Sequence, residues 1–168
     1  MRAPPGQVTR PTGARVREAL FQILGALDGA RVLDLYAGSG ALGIEALSRG
    51  AESAVFVEMD RAALECIRQN LETVGAVERT QVLGMRVVSA VVALGAEPFD
   101  LVLCDPPWDT LGTAISELGR VISGERLAPS ARVVLEHSAR DEEPEVPGLV
   151  AYDRRTWGDT AVSFFSAG

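Results

Sequence analysis

Lysine is absent from this chain of 168 residues, so all sixteen basic side chains are arginine. Histidine occurs once, as His137, and cysteine twice, as Cys66 and Cys104. Cys66 falls in a helical pattern and Cys104 in a strand pattern, without the spacing of a metal site or a disulfide framework. Each reads as a small buried hydrophobe, no metal is expected, and His137, at the end of the run Val133-Val134-Leu135, is assigned no role. No window approaches the ~20 apolar residues of a membrane span. The start, Met1-Arg2-Ala3-Pro4-Pro5-Gly6, lacks the apolar centre of a secretory leader, and the expected location is cytoplasmic. A basic surplus is also missing: the net charge is −7, against the electrostatics of a simple phosphate binder. The charge is uneven, however. Arg2, Arg10, Arg15 and Arg17 crowd the first twenty residues, and Asp141-Glu142-Glu143-Pro144-Glu145 gathers acid in one loop.

What is present suits a single domain spanning 1–168. Strand and helix patterns alternate, which predicts an α/β fold with helices on both faces of a mostly parallel sheet. A first helix is expected over Ala14 to Leu27, with Thr12 as its cap and Val16, Leu20, Ile23, Leu24 and Leu27 as its apolar stripe. Strands are expected at Arg31 to Tyr36, Ser53 to Met59, Thr80 to Leu83, through Phe99 to Cys104, and at Ala131 to Glu136. The intervening helices are Ala41 to Arg49, ended by Gly50, a helix capped by Asp60 with Leu64, Ile67, Leu71 and Val74, a short one over Val87 to Leu94, and one marked by Leu111, Ile115, Leu118 and Ile122. Leu149 to Tyr152 and Ala161 to Phe165 leave no room for a helix between them and read as a terminal antiparallel hairpin.

Gly38-Ser39-Gly40-Ala41-Leu42-Gly43 is a GxGxxG sequence between a strand and a helix, with Glu58 at the end of the next strand. Glycines there permit a tight turn and close approach of backbone to a nucleotide-like ligand, and a carboxylate can bind ribose hydroxyls. Asp34 separates two readings of that loop. A dinucleotide pyrophosphate favours helix-terminal amides with no acid nearby. S-Adenosylmethionine carries no phosphate but has an ammonium group that a carboxylate can hold, so Asp34 favours it; a loop-capping acid is the structural alternative. After the third strand stand Met85 and Arg86, where Met85 either packs on a purine or belongs to the core.

Asp105-Pro106-Pro107-Trp108 ends the apolar strand Phe99 to Cys104 as an acid, two rigid residues and a flat aromatic. The exocyclic amine of a nucleobase is a poor nucleophile because its lone pair is delocalised into the ring. Acceptors on its hydrogens, here the Asp105 carboxylate and the Pro106 carbonyl, can draw the nitrogen toward a tetrahedral shape. Prolines fix the backbone that aims them, and Trp108 offers a stacking face for an extruded base.

Arg10-Pro11-Thr12, Val16 to Phe21, Leu33 to Ala51, Val57-Glu58-Met59-Asp60, Asp105 to Trp108 and Tyr152 to Gly158 together resemble the RsmD-type methyltransferases that modify guanine N2 in small-subunit rRNA. The resemblance implies a Rossmann-like class I methyltransferase, with a mostly parallel seven-stranded sheet closed by an antiparallel hairpin. It implies S-adenosylmethionine as cofactor, held by Asp34, Gly38, Gly40 and Glu58; Tyr36, Ala37, Ser39 and Met59 beside them, with Met85 and Arg86 after the third strand, complete the candidate cofactor site. It implies 16S rRNA within a small-subunit particle as partner, with Asp105, Pro106, Pro107 and Trp108 holding the guanine. Arg10, Arg15 and Arg17, grouped near that base pocket, are candidates to meet RNA phosphates, with a solvated helix face as the alternative. The chain departs from the family's pattern in having Trp108 for its tyrosine or phenylalanine. Only nine residues precede Arg10, where the family has a basic, glycine-rich strand segment. Competing readings are amino methylation of DNA adenine or cytosine, a nicotinamide-dependent oxidoreductase, and a non-catalytic RNA-binding assembly factor.

Overall fold

The computed structural model describes residues 1–6 and 11–168. Its centre is a seven-stranded sheet in the order β3-β2-β1-β4-β5-β7-β6. The strands are β1 (Arg31–Leu35), β2 (Ser53–Glu58), β3 (Thr80–Gly84), β4 (Phe99–Cys104), β5 (Leu127–Ser138), β6 (Leu149–Trp157) and β7 (Thr160–Ala167). Neighbours from β3 across to β5 are parallel, whereas β7 runs antiparallel to both β5 and β6. The expected class I methyltransferase arrangement, with its closing hairpin, is therefore present.

Among the described residues, five α-helices cover the sheet: α1 (Pro11–Leu24), α2 (Ala41–Ser48), α3 (Arg61–Thr73), α4 (Val87–Ala90) and α5 (Leu111–Val121). Strand residues alternate between two cores, as the pleat requires. Val32, Phe56, Leu103, Val134 and Phe164 meet α1, α2 and α3 on one face. Leu33, Val57, Val102, Leu135 and Phe165 meet α4 and α5 on the other. Both faces of the central strands are thus buried, and their sequences read as apolar runs.

Several boundaries differ from the sequence expectation. α1 starts at Pro11, a favoured first helical residue because its missing N–H has no partner to lose, so Thr12 lies inside the first turn rather than ahead of it. The helix stops at Leu24 rather than Leu27, although Leu27 remains buried. Phe21 is fully buried while Ile23 is 41% exposed, because residues 16, 20, 21 and 24 share one face and 23 falls outside it. Val74 is likewise exposed, as the last residue before the turn at Gly75. α4 is a single turn followed by looser turns up to Leu94. β5 and the hairpin strands are longer than expected: β5 begins at Leu127, ahead of a bulge that precedes Arg132 in its ladder with β4, and surface residues such as Arg155 continue a hairpin ladder that apolar patterning alone does not reveal.

Two of the end signals act as expected. Asp60 accepts the Ala63 amide at 2.9 Å and caps α3, and Gly50, at φ 105°, takes the chain out of α2. Cys66 and Cys104 are both buried and free. His137 is the penultimate residue of β5, fully buried, with its Nε2 2.8 Å from Ser163 Oγ.

Candidate active site

The order of the sheet reverses between β1 and β4: the chain proceeds outward through β2 and β3 on one side and through β5 on the other. In open α/β sheets the crevice at the carboxyl ends of strands flanking such a reversal is where ligands bind. Asp34 and Asp105 stand on those two strands. Asp34 is level with Leu103 in the ladder, and the Asp105 amide points to Leu35 O at 3.5 Å. Both acids sit in the crevice.

Asp34 is 1% exposed. Its Oδ2 accepts the Gly43 amide at 2.9 Å, while its Oδ1 is buried without a hydrogen-bond partner. Burial pushes its carboxyl well above the usual carboxylate range, against the Gly43 amide, with the charges of Asp105 and Glu58 adding to the rise. Asp34 thus does cap the turn, using one oxygen, and has a second oxygen in want of a donor. An unsatisfied buried acceptor is costly, and a cationic ligand would satisfy it. The ammonium group of S-adenosylmethionine has the charge and the donors for that position, so the residues present fit the cofactor.

The loop itself is tied down from three directions. Gly38 and Gly40 take left-handed φ values of 58° and 82°, which glycine adopts without penalty. Glu58 Oε2 accepts the Gly38 amide at 2.8 Å, and its Oε1 accepts the Met59 and Asp60 amides, each at 2.9 Å. Glu58 therefore braces the loop with lone pairs to spare for ribose hydroxyls. Ala37 donates its amide to Val57 O at 3.0 Å. The Ser39 carbonyl accepts from Asn70 Nδ2 at 3.0 Å, and the same nitrogen donates to Arg2 O at 3.0 Å while Asn70 Oδ1 accepts the Arg2 amide at 2.9 Å. Asn70, 3% exposed, joins α3, the loop and the first residues of the chain.

Tyr36 leaves β1 with φ 56°, the non-glycine residue with positive φ among those described. Its hydroxyl donates to Glu117 Oε2 of α5, and Arg86 Nη2 lies 3.5 Å from Glu117 Oε1. Burial first, and then the bond to the Glu117 carboxylate, drive the Tyr36 hydroxyl far above its ordinary pKa. It stays protonated as a fixed donor. Met85 is partly buried against the core beneath α4 and α5, whereas Met59 is 68% exposed beside Glu58. Of the two methionines, Met59 has the free apolar surface for a purine.

Asp105, half-buried, is followed by a buried Pro106, an exposed Pro107 and a half-buried Trp108. Pro107 is extended, at φ −55° and ψ 132°, and Trp108 opens the one-turn helix Trp108–Thr110 leading into α5. Burial raises the Asp105 carboxyl to about 6, so at neutral pH it is mainly ionised and able to accept two hydrogen bonds. Arg15 is exposed on α1; Arg17 is half-buried and, with Ala14, Glu18, Glu45 and Arg49, lines a groove of about 360 Å³ between α1 and α2. Arg10 lies outside the described residues. Three residues escaped the sequence reading: Asn70 and Glu117, which look like ordinary polar helix positions, and Glu136, which lies beside Asp105. Only for Glu136 was there a signal, an acid directly after the apolar run of a central strand.

The chain is 36% identical over 174 residues to "Putative rRNA methyltransferase YlbH" of Bacillus subtilis, covering 98% of this chain and 91% of the relative. It is 37% identical over 139 residues to "Ribosomal RNA small subunit methyltransferase D" of Escherichia coli, covering 82% and 69% respectively. Among solved structures, "Putative methyltransferase yhhF from Escherichia coli" superposes with a TM-score of 0.82 at 34% identity, covering 99% of this chain and 91% of the other. A ribosomal protein L11 methylase of Lactobacillus delbrueckii, 16% identical with a TM-score of 0.72, shares the fold. The family model described as "Conserved hypothetical protein 95" matches residues 1–166, and this chain belongs to that family, the RsmD-type methyltransferases.

Proposed function

We propose that this protein transfers a methyl group from S-adenosylmethionine to the exocyclic N2 amine of a guanosine in 16S rRNA, within a small-subunit particle. The observation that carries the reading is the pairing of two acids across the β1/β4 reversal. Asp34 has a buried oxygen awaiting a cation, and Asp105 opens the Pro-Pro-Trp ledge directly beside it. The names of the relatives favour rRNA over DNA as the nucleic acid.

In this reading Asp34 Oδ1 receives the cofactor's ammonium, Glu58 the ribose hydroxyls, and Met59 packs against the adenine. Tyr36, Ala37, Gly38, Ser39 and Gly40 form the wall along which the cofactor lies, with Met85 and Arg86 closing the far side. The bound cofactor supplies an electrophilic methyl on a sulfonium, whose carbon–sulfur electron pair leaves with sulfur. Asp105 and the Pro106 carbonyl accept the two amine hydrogens and aim the nitrogen lone pair, while Trp108 stacks on the guanine ring. Orientation of this kind can lower a barrier by up to about 7–11 kcal/mol, so no strongly basic group is required before the methyl moves. Arg10, Arg15 and Arg17 engage RNA phosphates flanking the flipped nucleotide.

Calorimetry and methyl transfer with the Asp105→Ala variant test the reading together. The expected result is S-adenosylhomocysteine affinity like that of the unaltered protein, no NADH binding, and methyl transfer to small subunits reduced by about 100-fold or more. Undiminished transfer by Asp105→Ala, or tight NADH binding without S-adenosylhomocysteine binding, contradicts it.

A further inference from the structure

The register of β4 and β5 sets a second acid beside Asp105. Cys104 pairs with Leu135 in the parallel ladder, so the next residues along the two strands, Asp105 and Glu136, emerge side by side at the carboxyl rim. Leu103 and Val134 both face the core beneath α1, α2 and α3, and residues two further on face the same side. Asp105 and Glu136 are each half-buried there.

Among the described residues, no cation pairs with either acid. Across the ladder Glu136 opposes Val162 of β7, which in turn opposes Arg155 of β6. Arg155 is already engaged by Asp153 at 2.9 Å. From β1 comes only the acid Asp34. On α1, Arg17 and Glu18 line the groove with Glu45 and Arg49, and Arg15 is exposed. His137 turns to the opposite face and meets Ser163.

Two neighbouring, poorly solvated carboxyl groups do not both ionise easily; they titrate as a pair. Burial raises both, and the Asp105 charge raises Glu136 further, so that Glu136 is the later to ionise. Near neutrality the pair holds one proton, mainly on Glu136, and Asp105 meets its substrate as a carboxylate.

We propose that Glu136 is the proton outlet of the transfer site, a second carboxyl group that shares one proton with Asp105 and passes the proton shed by the methylated amine to solvent. The proposal rests on the amine-methylation reading above. Formation of the nitrogen–carbon bond leaves the amine cationic with two hydrogens. One N–H bond then breaks, its electron pair stays on nitrogen, and the proton goes to an Asp105 oxygen. The pair now holds two protons. Glu136 releases one to water, and the pair returns to its one-proton state with Asp105 again ionised.

Single-turnover transfer to small subunits, followed at once by mass detection of the methyl product and by a pH-indicator dye, tests the outlet. In the unaltered protein the two traces coincide. In Glu136→Gln, which cannot exchange a carboxyl proton, proton release falls behind methyl formation by roughly tenfold or more, whatever the rate of methyl formation itself. Glu136→Asp restores coincidence. Coincident traces in Glu136→Gln overturn the outlet. A carbon-13 carboxyl titration of the free protein decides the pairing without any substrate: two raised, interacting steps are expected, with one remaining in Glu136→Gln. Ordinary glutamate titration of Glu136 overturns the pair even if transfer is normal, and absence of methyl product from the unaltered protein overturns the substrate reading and the outlet with it.

Discussion

Asp34 and Gly43 are joined by a 2.9 Å hydrogen bond that uses one oxygen of the buried carboxylate and leaves the other without a partner. The relationship works in both directions. The acid fixes the first turn of α2, and the glycine is what lets the acid approach: a Cβ on Gly43 would lie 2.8 Å from Phe56 Cζ and 3.1 Å from Asp34 Oδ2. Loop shape and ligand charge are therefore set by the same contact.

Asp34→Asn separates stability from binding. An asparagine oxygen can still accept from Gly43, and the cost of a buried, unpaired carboxylate disappears. The variant is expected to be more stable without ligand by about 1–3 kcal/mol, yet to bind S-adenosylhomocysteine at least about tenfold more weakly. Thermal unfolding and calorimetry on the same preparation check both halves. Loss of stability with affinity retained would show that Asp34 serves the loop alone.

Gly43→Ala pits two effects against each other. Alanine in a helix is favoured over glycine by about 1 kcal/mol, whereas forcing a methyl group against Phe56 and Asp34 costs about 1–3 kcal/mol. The clash wins because both neighbours are buried. Lower unfolding temperature and weaker cofactor binding are expected; a stabilised variant with normal affinity would refute the close-approach argument.

Asn70→Ala removes the three bonds that join Ser39 and Arg2 to α3. The expected cost is about 1–3 kcal/mol of stability, since polar groups of the loop lose their partners, together with faster amide exchange at the first residues of the chain and at Ser39 and Gly40. Hydrogen exchange confined to the chain start, with the loop still protected, would show that Asn70 does not couple the two.

The three acids of the site also govern the response to pH. The pKa values of Asp34, Asp105 and Glu136 are all raised in the folded protein, so the folded state holds protons that the unfolded chain has released. The stability this contributes is complete below the ordinary carboxylate range near pH 4 and is lost as pH rises through about 6 for Asp105 and about 8 for Glu136. Chemical denaturation of the free protein should show stability falling by several kcal/mol between those limits, with a shallower fall in Glu136→Gln. A flat profile in both proteins would mean that these groups ionise freely.

Much of the site was written in short, contiguous stretches. Leu33 to Gly43 contains strand, turn and helix start in one run, because the turn geometry depends on glycines whose places are visible in the sequence. Asp105 was legible for the same reason, as an acid fixed between a strand and two prolines. Asn70, Glu117 and Glu136 act on residues far away in the chain, and nothing local distinguishes the first two from solvated helix positions. Glu117 acquires its function only when α5 is laid against β1 and meets Tyr36. Ile23 failed as a core residue because a regular apolar spacing does not say how wide a face the sheet can cover. The hairpin strands were underestimated because their outer edge carries arginines and a threonine that resemble a loop.

Mass mapping of small-subunit rRNA from cells with and without the gene tests the central claim most directly. The account predicts one N2-methylguanosine in 16S rRNA that disappears with the gene, returns with the unaltered protein and fails to return with Asp105→Ala. An identical nucleoside map in both strains, or a lost methyl group on a different atom or base, would contradict it.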